Sequence, residues 1–531
     1  MKEDSMRFTL RTKVILFTFL IILGLVFRFP TTPHEIGWDS FVVHLMANSI
    51  SKFGYAKWWL HPASIIGSYP YSTSPSAVPF LLSGISQCTS MDMESVILLY
   101  SMILGIFSIF GAYLMAGVIW NNDVFKFLVA FVFSASQGII TFSTWTAHAR
   151  TLFVISLPLF IYLLLRTRTF KVRCSILTFV ILALLLVTHH YIYFIVPIVI
   201  SYLIIVVLYK SGNYIQSIRI PENIANFAVF AGFLIMFSIP FFTRTLMEAD
   251  PAMSRSGGGR YIWLFYMMES YTRYIGILII LVVSGYIYLV LKRNKRFEEW
   301  FLLLCFAGLA QFLYIITYMK WFITSFACLL IGVGLTNVAE MRKNLNIKKR
   351  KYATAFIVIL LLISTIFTGY YQYLHFLNDP SAQKRYMEER TYVGGLWIKD
   401  NVDKPVIADY SISKRISATS EAVGLTGVDP VDLAFGFIDP EKLVIKQIYS
   451  PTSVDFYFKD PYASVNLSTD LLLWRSMNSD SWRNRIIHEF NLLYYVENKD
   501  FRNAFSRSVQ QTKDCLYDNG KIRVWDLDQG R

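Results

Sequence analysis

The stretch Pro75-Ser76-Ala77-Val78-Pro79-Phe80-Leu81-Leu82-Ser83-Gly84-Ile85-Ser86-Gln87 decides how the whole chain is laid out. It is apolar enough to enter lipid but falls well short of the ~20 residues that a helical crossing needs. As a span it would invert every later segment; as a re-entrant or interfacial helix it leaves both flanks on one side. Charge chooses between the two, because cytoplasmic flanks are rich in Lys and Arg. The N-terminal flank carries Lys2, Arg7, Arg11 and Lys13. With 75–87 as a half-helix, four further basic connections fall on that same side: Arg166, Arg168, Lys171 and Arg173; Lys210 and Arg219; Lys292, Arg293, Lys295 and Arg296; and the run from Arg342 to Lys351. The half-helix reading follows.

Around it, hydropathy predicts spans at 14–29, 95–120, 124–140, 151–165, 174–188, 191–209, 224–242, 274–291, 300–318, 322–339 and 353–373, about eleven crossings of the length a bilayer requires. A chain of 531 residues with 55% apolar and 16% aromatic side chains is too greasy for a soluble enzyme of this length. The fold class is therefore a polytopic α-helical membrane protein, multi-pass in the cell membrane, with its N-terminus inside and its C-terminus outside. Residues 1–373 form the transmembrane domain, with a first external loop at 30–94. Residues 374–531 have the composition of an extracytoplasmic mixed α/β domain. There, 389–402 has helical spacing, 406–408 and 492–496 resemble short buried strands, and Asn519-Gly520 supplies the positive φ angles of a tight hairpin. The formal net charge of +14 lies in the connections between spans, so it orients the chain and does not mark a nucleic-acid surface. The five cysteines form no CxxC pair and no metal-ligand spacing.

Side chains that act together must share a face of the membrane, and the ionisable residues sort that way. His34-Glu35-Ile36-Gly37-Trp38-Asp39-Ser40-Phe41-Val42-Val43-His44 follows the first span and opens an amphipathic helix. Asp39 is its central candidate and His44 a secondary one, while His34 and Glu35 read as solvated loop residues. On the same external side lie His148 and Arg150, the pair His189-His190, and Lys320 in a short turn before a late span. Arg255 and Arg260 flank Gly257-Gly258-Gly259 as a phosphate clamp on a glycine hinge. Plainer readings stand beside these: Asp39 as a helix N-cap, the histidines as hydrogen-bonded interfacial residues, Lys320 as a snorkelling cation. No Walker loop, GxGxxG, HExxH or GxSxG motif is present. An acid at a lipid surface among cations fits group transfer from a lipid phosphate. Asp39 would take the acceptor's proton, and Lys320, Arg150, Arg255 or Arg260 would neutralise the departing phosphate.

Asp39 in a Trp-Asp-Ser context after the first span, the Tyr69-Pro70-Tyr71 loop, the polar segment 143–150, Lys320 before a late span and an external C-terminal domain together resemble the GT-C superfamily of integral-membrane glycosyltransferases. That superfamily includes oligosaccharyltransferase catalytic subunits and protein O-mannosyltransferases; Tyr517-Asp518-Asn519-Gly520 and the helix around Trp397 look most like archaeal members. The resemblance implies transfer of a sugar from a polyprenyl(dolichyl)-phosphate donor to a glycan or protein acceptor of an archaeal cell envelope. It makes Asp39 the base or a metal ligand, Lys320 the phosphate cation where relatives often have Arg, and His148 the counterpart of a second, often acidic motif. Trp38, His44, His148, His189 and His190 become supporting or substrate-binding residues. A divalent cation, Mg or Mn, would rest on Asp39 and His148. Lys57-Trp58-Trp59-Leu60 lacks the Asp of the WWDxG signature, which favours transfer of one sugar over en bloc transfer to Asn. The rival classes are a lipid or glycan flippase, which predicts inverted repeats, and a noncatalytic envelope-assembly protein.

Overall fold

The computed structural model describes residues 7–54, 77–215, 231–232, 260–292, 294–312, 319–341, 347–377, 385–402, 406–420, 424–425, 493–500 and 504–527. Arg255, the Gly257 triplet, most of the expected span at 224–242 and the 55–76 loop lie outside them.

Helix α1 (Leu10–Arg28) begins where the Thr9 side chain accepts the Thr12 amide. It is followed by α2 (Trp38–Phe53), α3 (Ala77–Thr89) and the long α4 (Met93–Ile119). The deciding stretch is thus a helix of 13 residues. At 1.5 Å per residue it rises about 20 Å, too short for a ~30 Å hydrocarbon core. Among the described residues five helices are long and apolar enough to cross a membrane, or six if one bent pair counts as a span.

Among the described residues, the expected spans at 124–140 and from 274 are interrupted, and the helix of the one at 300–318 ends at Ala310. The segment predicted at 124–140 is two helices, α5 (Asp123–Ser134) and α6 (Gln137–Phe142). The carbonyl of Ala135, freed at the break, accepts the Thr368 hydroxyl at 3.1 Å, so the interruption leaves that group satisfied. The segment predicted from 274 belongs to a pair bent by 113° at Gly276, whose φ of 99° suits glycine. Its arms are α10 (Arg260–Ile275) and α11 (Ile280–Leu291). Helices α7 (Ala149–Arg166), α8 (Lys171–Thr188), α9 (Ile195–Ile215), α12 (Phe297–Ala310), α13 (Met319–Met341) and α14 (Ile347–Leu377) complete the bundle. Small residues set its closest crossings: a side chain at Gly285 would run into the backbone of Leu330, and one at Gly332 into Val129 and Phe125.

The two ends of the bundle differ in chemistry. At one, Lys13 and Lys126 pair with Asp123, Lys292 pairs with the buried Glu299, and Arg296 caps the last turn of α4 through the Ile119 carbonyl. Arg28, Asp39, His148, Arg150 and Lys320 gather at the other. This second end carries a five-stranded sheet in the order β2-β1-β3-β5-β4, formed by β1 (Val406–Ala408), β2 (Gly424–Leu425), β3 (Tyr494–Asn498), β4 (Cys515–Asp518) and β5 (Ile522–Asp526). β1 runs parallel to β2 and β3; the hairpin β4–β5, turned at Gly520 with φ 86°, adds antiparallel to β3. Helices α15 (Glu389–Asn401) and α16 (Tyr410–Ser420) cover it, and α17 (Ala504–Thr512) follows β3. The two adjacent glycines of α15 cost helix propensity. Their use is contact: a Cβ at Gly395 would overlap the Thr419 side chain of α16.

Candidate active site

The segment between α1 and α2 is held from two sides. The Ile36 amide donates to the Trp145 carbonyl at 3.0 Å, and the Gly37 amide to the Arg385 carbonyl at 2.8 Å. Ile36 and Tyr386 form an isolated antiparallel bridge. Gly37, at φ 106°, occupies the N-cap position of α2 without a side-chain cap. Asp39 is therefore one residue inside the helix and does not cap it. Its carboxylate lies at the positive end of the helix dipole and is directed to another segment: Oδ2 stands 3.4 Å from Nδ1 of His148.

His148 is the residue before α7, buried, with its ring edge-on to Phe142 at 5.1 Å. Asp39 keeps 60% of its side-chain surface open, so a reactant can reach it. Partial burial pushes the Asp39 carboxyl upward, but the hydrogen bond and charge of His148, with the charges of Arg150 and Lys414, outweigh that and hold it well below the ordinary carboxylate range.

Next to this pair stands a box of three aromatic rings. Phe142 and Trp321 meet at 4.3 Å and Tyr274 and Trp321 at 4.4 Å. The guanidinium of Arg150 lies 5.5 Å from both Phe142 and Trp321. Lys320, the second residue of α13, places Nζ 3.9 Å from the centre of the Tyr274 ring and donates to the Ser270 hydroxyl at 3.0 Å. Arg150 and Arg273 are near enough for their charges to act on Lys320. Like charges repel, so a cluster of three cations around an aromatic box favours an anion.

Of the other expected residues, Trp38 lies under the guanidinium of Arg415 at 4.6 Å. His44 is buried with Nδ1 2.5 Å from Glu35. His189, also buried, packs against Phe153, one turn of α7 beyond Arg150. His190 opens a short 3-10 turn, and Arg260 is the first residue of α10; their side chains are outside what is described. The reading of His34 and Glu35 as solvated is wrong. Both are buried, because the segment they occupy is covered by the start of α4 and by 385–389: His34 meets Glu94 at 3.1 Å and Glu389 at 3.0 Å, and stacks on Tyr392 at 4.0 Å. Sequence reasoning also missed Arg273 on α10, and Lys414 and Arg415 on α16, since no local pattern tells that Arg273 comes near Lys320 or that α16 meets α2. For a metal, Asp39 and His148 offer two donors, and no group of three acidic, His or Cys ligands exists among the described residues. Catalytic metal sites commonly use three protein ligands, so the described residues do not complete one.

No family model matches the sequence, nor does any curated protein. Solved structures do match in fold. The Archaeoglobus fulgidus oligosaccharyltransferase AglB, in complex with an inhibitory peptide and a dolichol-phosphate, aligns with a TM-score of 0.59 at 12% identity over 92% of this chain and 70% of that one. The same enzyme in complex with Zn and sulfate gives 0.57 at 14% identity over 91% and 68%. ArnT from Cupriavidus metallidurans, bound to undecaprenyl phosphate, gives 0.55 at 10% identity over 98% and 99%. At identities of 10% to 14%, these likenesses concern the fold.

Proposed function

We propose that this chain is a membrane glycosyltransferase that moves a sugar from a polyprenyl-phosphate-linked donor to a glycan or protein acceptor, with Asp39 as the base. The observation that carries the reading is an open carboxylate, Asp39 against His148, beside the cation cluster of Arg150, Arg273 and Lys320. The bond from the anomeric carbon to the phosphate oxygen breaks, and its electron pair leaves on the phosphate. Lys320 and Arg150 neutralise the charge gained there. The acceptor oxygen bonds to the anomeric carbon, and its proton passes to Asp39. A carboxylate held this acidic is a weak base, but the hydroxyl becomes acidic as the new bond forms, and the negative charge also favours positive charge building on the sugar. Acceptor and base meet on the end of the bundle opposite the Lys- and Arg-rich connections, which by the charge rule is the extracytoplasmic end. The AglB and ArnT structures, with dolichol-phosphate and undecaprenyl phosphate, support the donor class. Arg255 and Arg260 are proposed as further phosphate contacts.

The test is transfer from radiolabelled dolichyl- and undecaprenyl-phosphate-linked sugars by the purified full chain. Asp39→Asn should lower turnover by on the order of 10²- to 10⁴-fold, the usual contribution of a positioned base, while the protein remains folded. Turnover equal to that of the unmodified chain would exclude Asp39 as base.

A further inference from the structure

Glu35 is 0% exposed, yet it carries a carboxylate that the proposed chemistry does not use. Its two oxygens have separate partners. Oε1 meets Nδ1 of His44 at 2.5 Å, and Oε2 accepts the Ser40 hydroxyl at 3.0 Å. The Ser40 hydroxyl spends its proton on that oxygen, which leaves its lone pairs facing elsewhere. One of them accepts the amide of Ala147 at 2.8 Å. Ser40 is the neighbour of Asp39 in α2, and Ala147 is the neighbour of His148. A single relay, Glu35 to Ser40 to Ala147, therefore ties together the two backbones whose side chains meet at the site. A buried carboxylate is costly unless its oxygens find hydrogen-bonding partners, and here His44 and Ser40 supply them.

We propose that Glu35 is a positioning residue for the transfer reaction: through Ser40 and the Ala147 amide it holds His148 facing Asp39. The inference rests on the proposed function for its kinetic arm only. Glu35→Gln keeps a carbonyl oxygen for Ser40 and an amide for His44, whereas Glu35→Ala keeps neither.

Both variants are made in the full chain and compared by hydrogen–deuterium exchange over 143–149 and by kcat and KM for a radiolabelled dolichyl-phosphate-linked hexose. Expected for Glu35→Ala are faster exchange at 143–149 and a kcat lower by about 10²-fold, the usual effect of an ångström-scale misplacement, with KM for the lipid donor unchanged. Glu35→Gln should restore both. Should Glu35→Ala fail to fold, Ser40→Ala takes its place and must show the same exchange and kcat changes. Two results overturn the proposal: exchange at 143–149 that is untouched by the alanine variants, or a Glu35→Gln protein as inactive as Asp39→Asn, which would make Glu35 a proton carrier. If the unmodified chain transfers no sugar from any lipid donor, the functional reading falls, and the exchange comparison still decides the relay.

Discussion

A Cβ atom at position 37 would stand 2.9 Å from Nε2 of His148, nearer than such atoms pack. Gly37 thus serves two needs at once, the left-handed φ of 106° and the space for the ring that faces Asp39. Gly37→Ala should cost roughly 1–3 kcal/mol in backbone strain and displace His148. Turnover should fall by about 10²-fold, together with a lower melting temperature. A variant that melts lower but turns over normally would show that His148 needs no such placement.

Lys320 and Arg150 are expected to bind the lipid phosphate. A hydrogen bond to a charged group contributes about 1.5–3 kcal/mol, so Lys320→Ala should raise the Kd for dolichyl phosphate by about 10- to 100-fold. Binding of uncharged dolichol should not change. Equal losses for both lipids would place Lys320 in tail packing and not at the phosphate.

His34 predicts a pH dependence. Its two ring nitrogens face two carboxylates, Glu94 and Glu389, and only the imidazolium can donate to both. Burial lowers the His34 pKa, but the hydrogen bonds and charges of Glu94 and Glu389 outweigh it and raise the value above 6.5. A raised pKa of this kind gives its full stabilisation below the unfolded value near ~6.5 and loses it as pH climbs through the folded value. The contact between the start of α4 and the start of α15 should therefore loosen on the alkaline side. Melting temperatures of the unmodified chain should fall more steeply over that window than those of His34→Gln. Parallel curves would rule the contact out as the cause.

Arg415 reaches from α16 over Trp38 at 4.6 Å and Phe41 at 5.5 Å. Lys cannot reproduce a planar stack, and stacked cations contribute about 0.5–2 kcal/mol. Arg415→Lys should lower the melting temperature nearly as much as Arg415→Ala does. A lysine variant as stable as the parent would mean that charge alone matters there.

Much of this molecule was legible in order along the chain. Apolar runs predicted α1, α4, α7, α9 and α13; the length of 75–87 predicted a helix too short to cross; Asn519-Gly520 predicted the β4–β5 turn. Asp39 stood out because its neighbours in sequence are themselves ionisable. These features depend on residues a few positions apart, where hydropathy, periodicity and turn chemistry act directly. The break between α5 and α6, the burial of His34 and Glu35, the Asp39–His148 contact and the arrival of Arg415 over Trp38 were decided by tertiary structure. Their partners are far away: His34 and Glu389 are 355 residues apart. A carboxylate or imidazole reads as solvated whenever its immediate neighbours are polar, and only packing against distant segments removes the water and assigns it a partner.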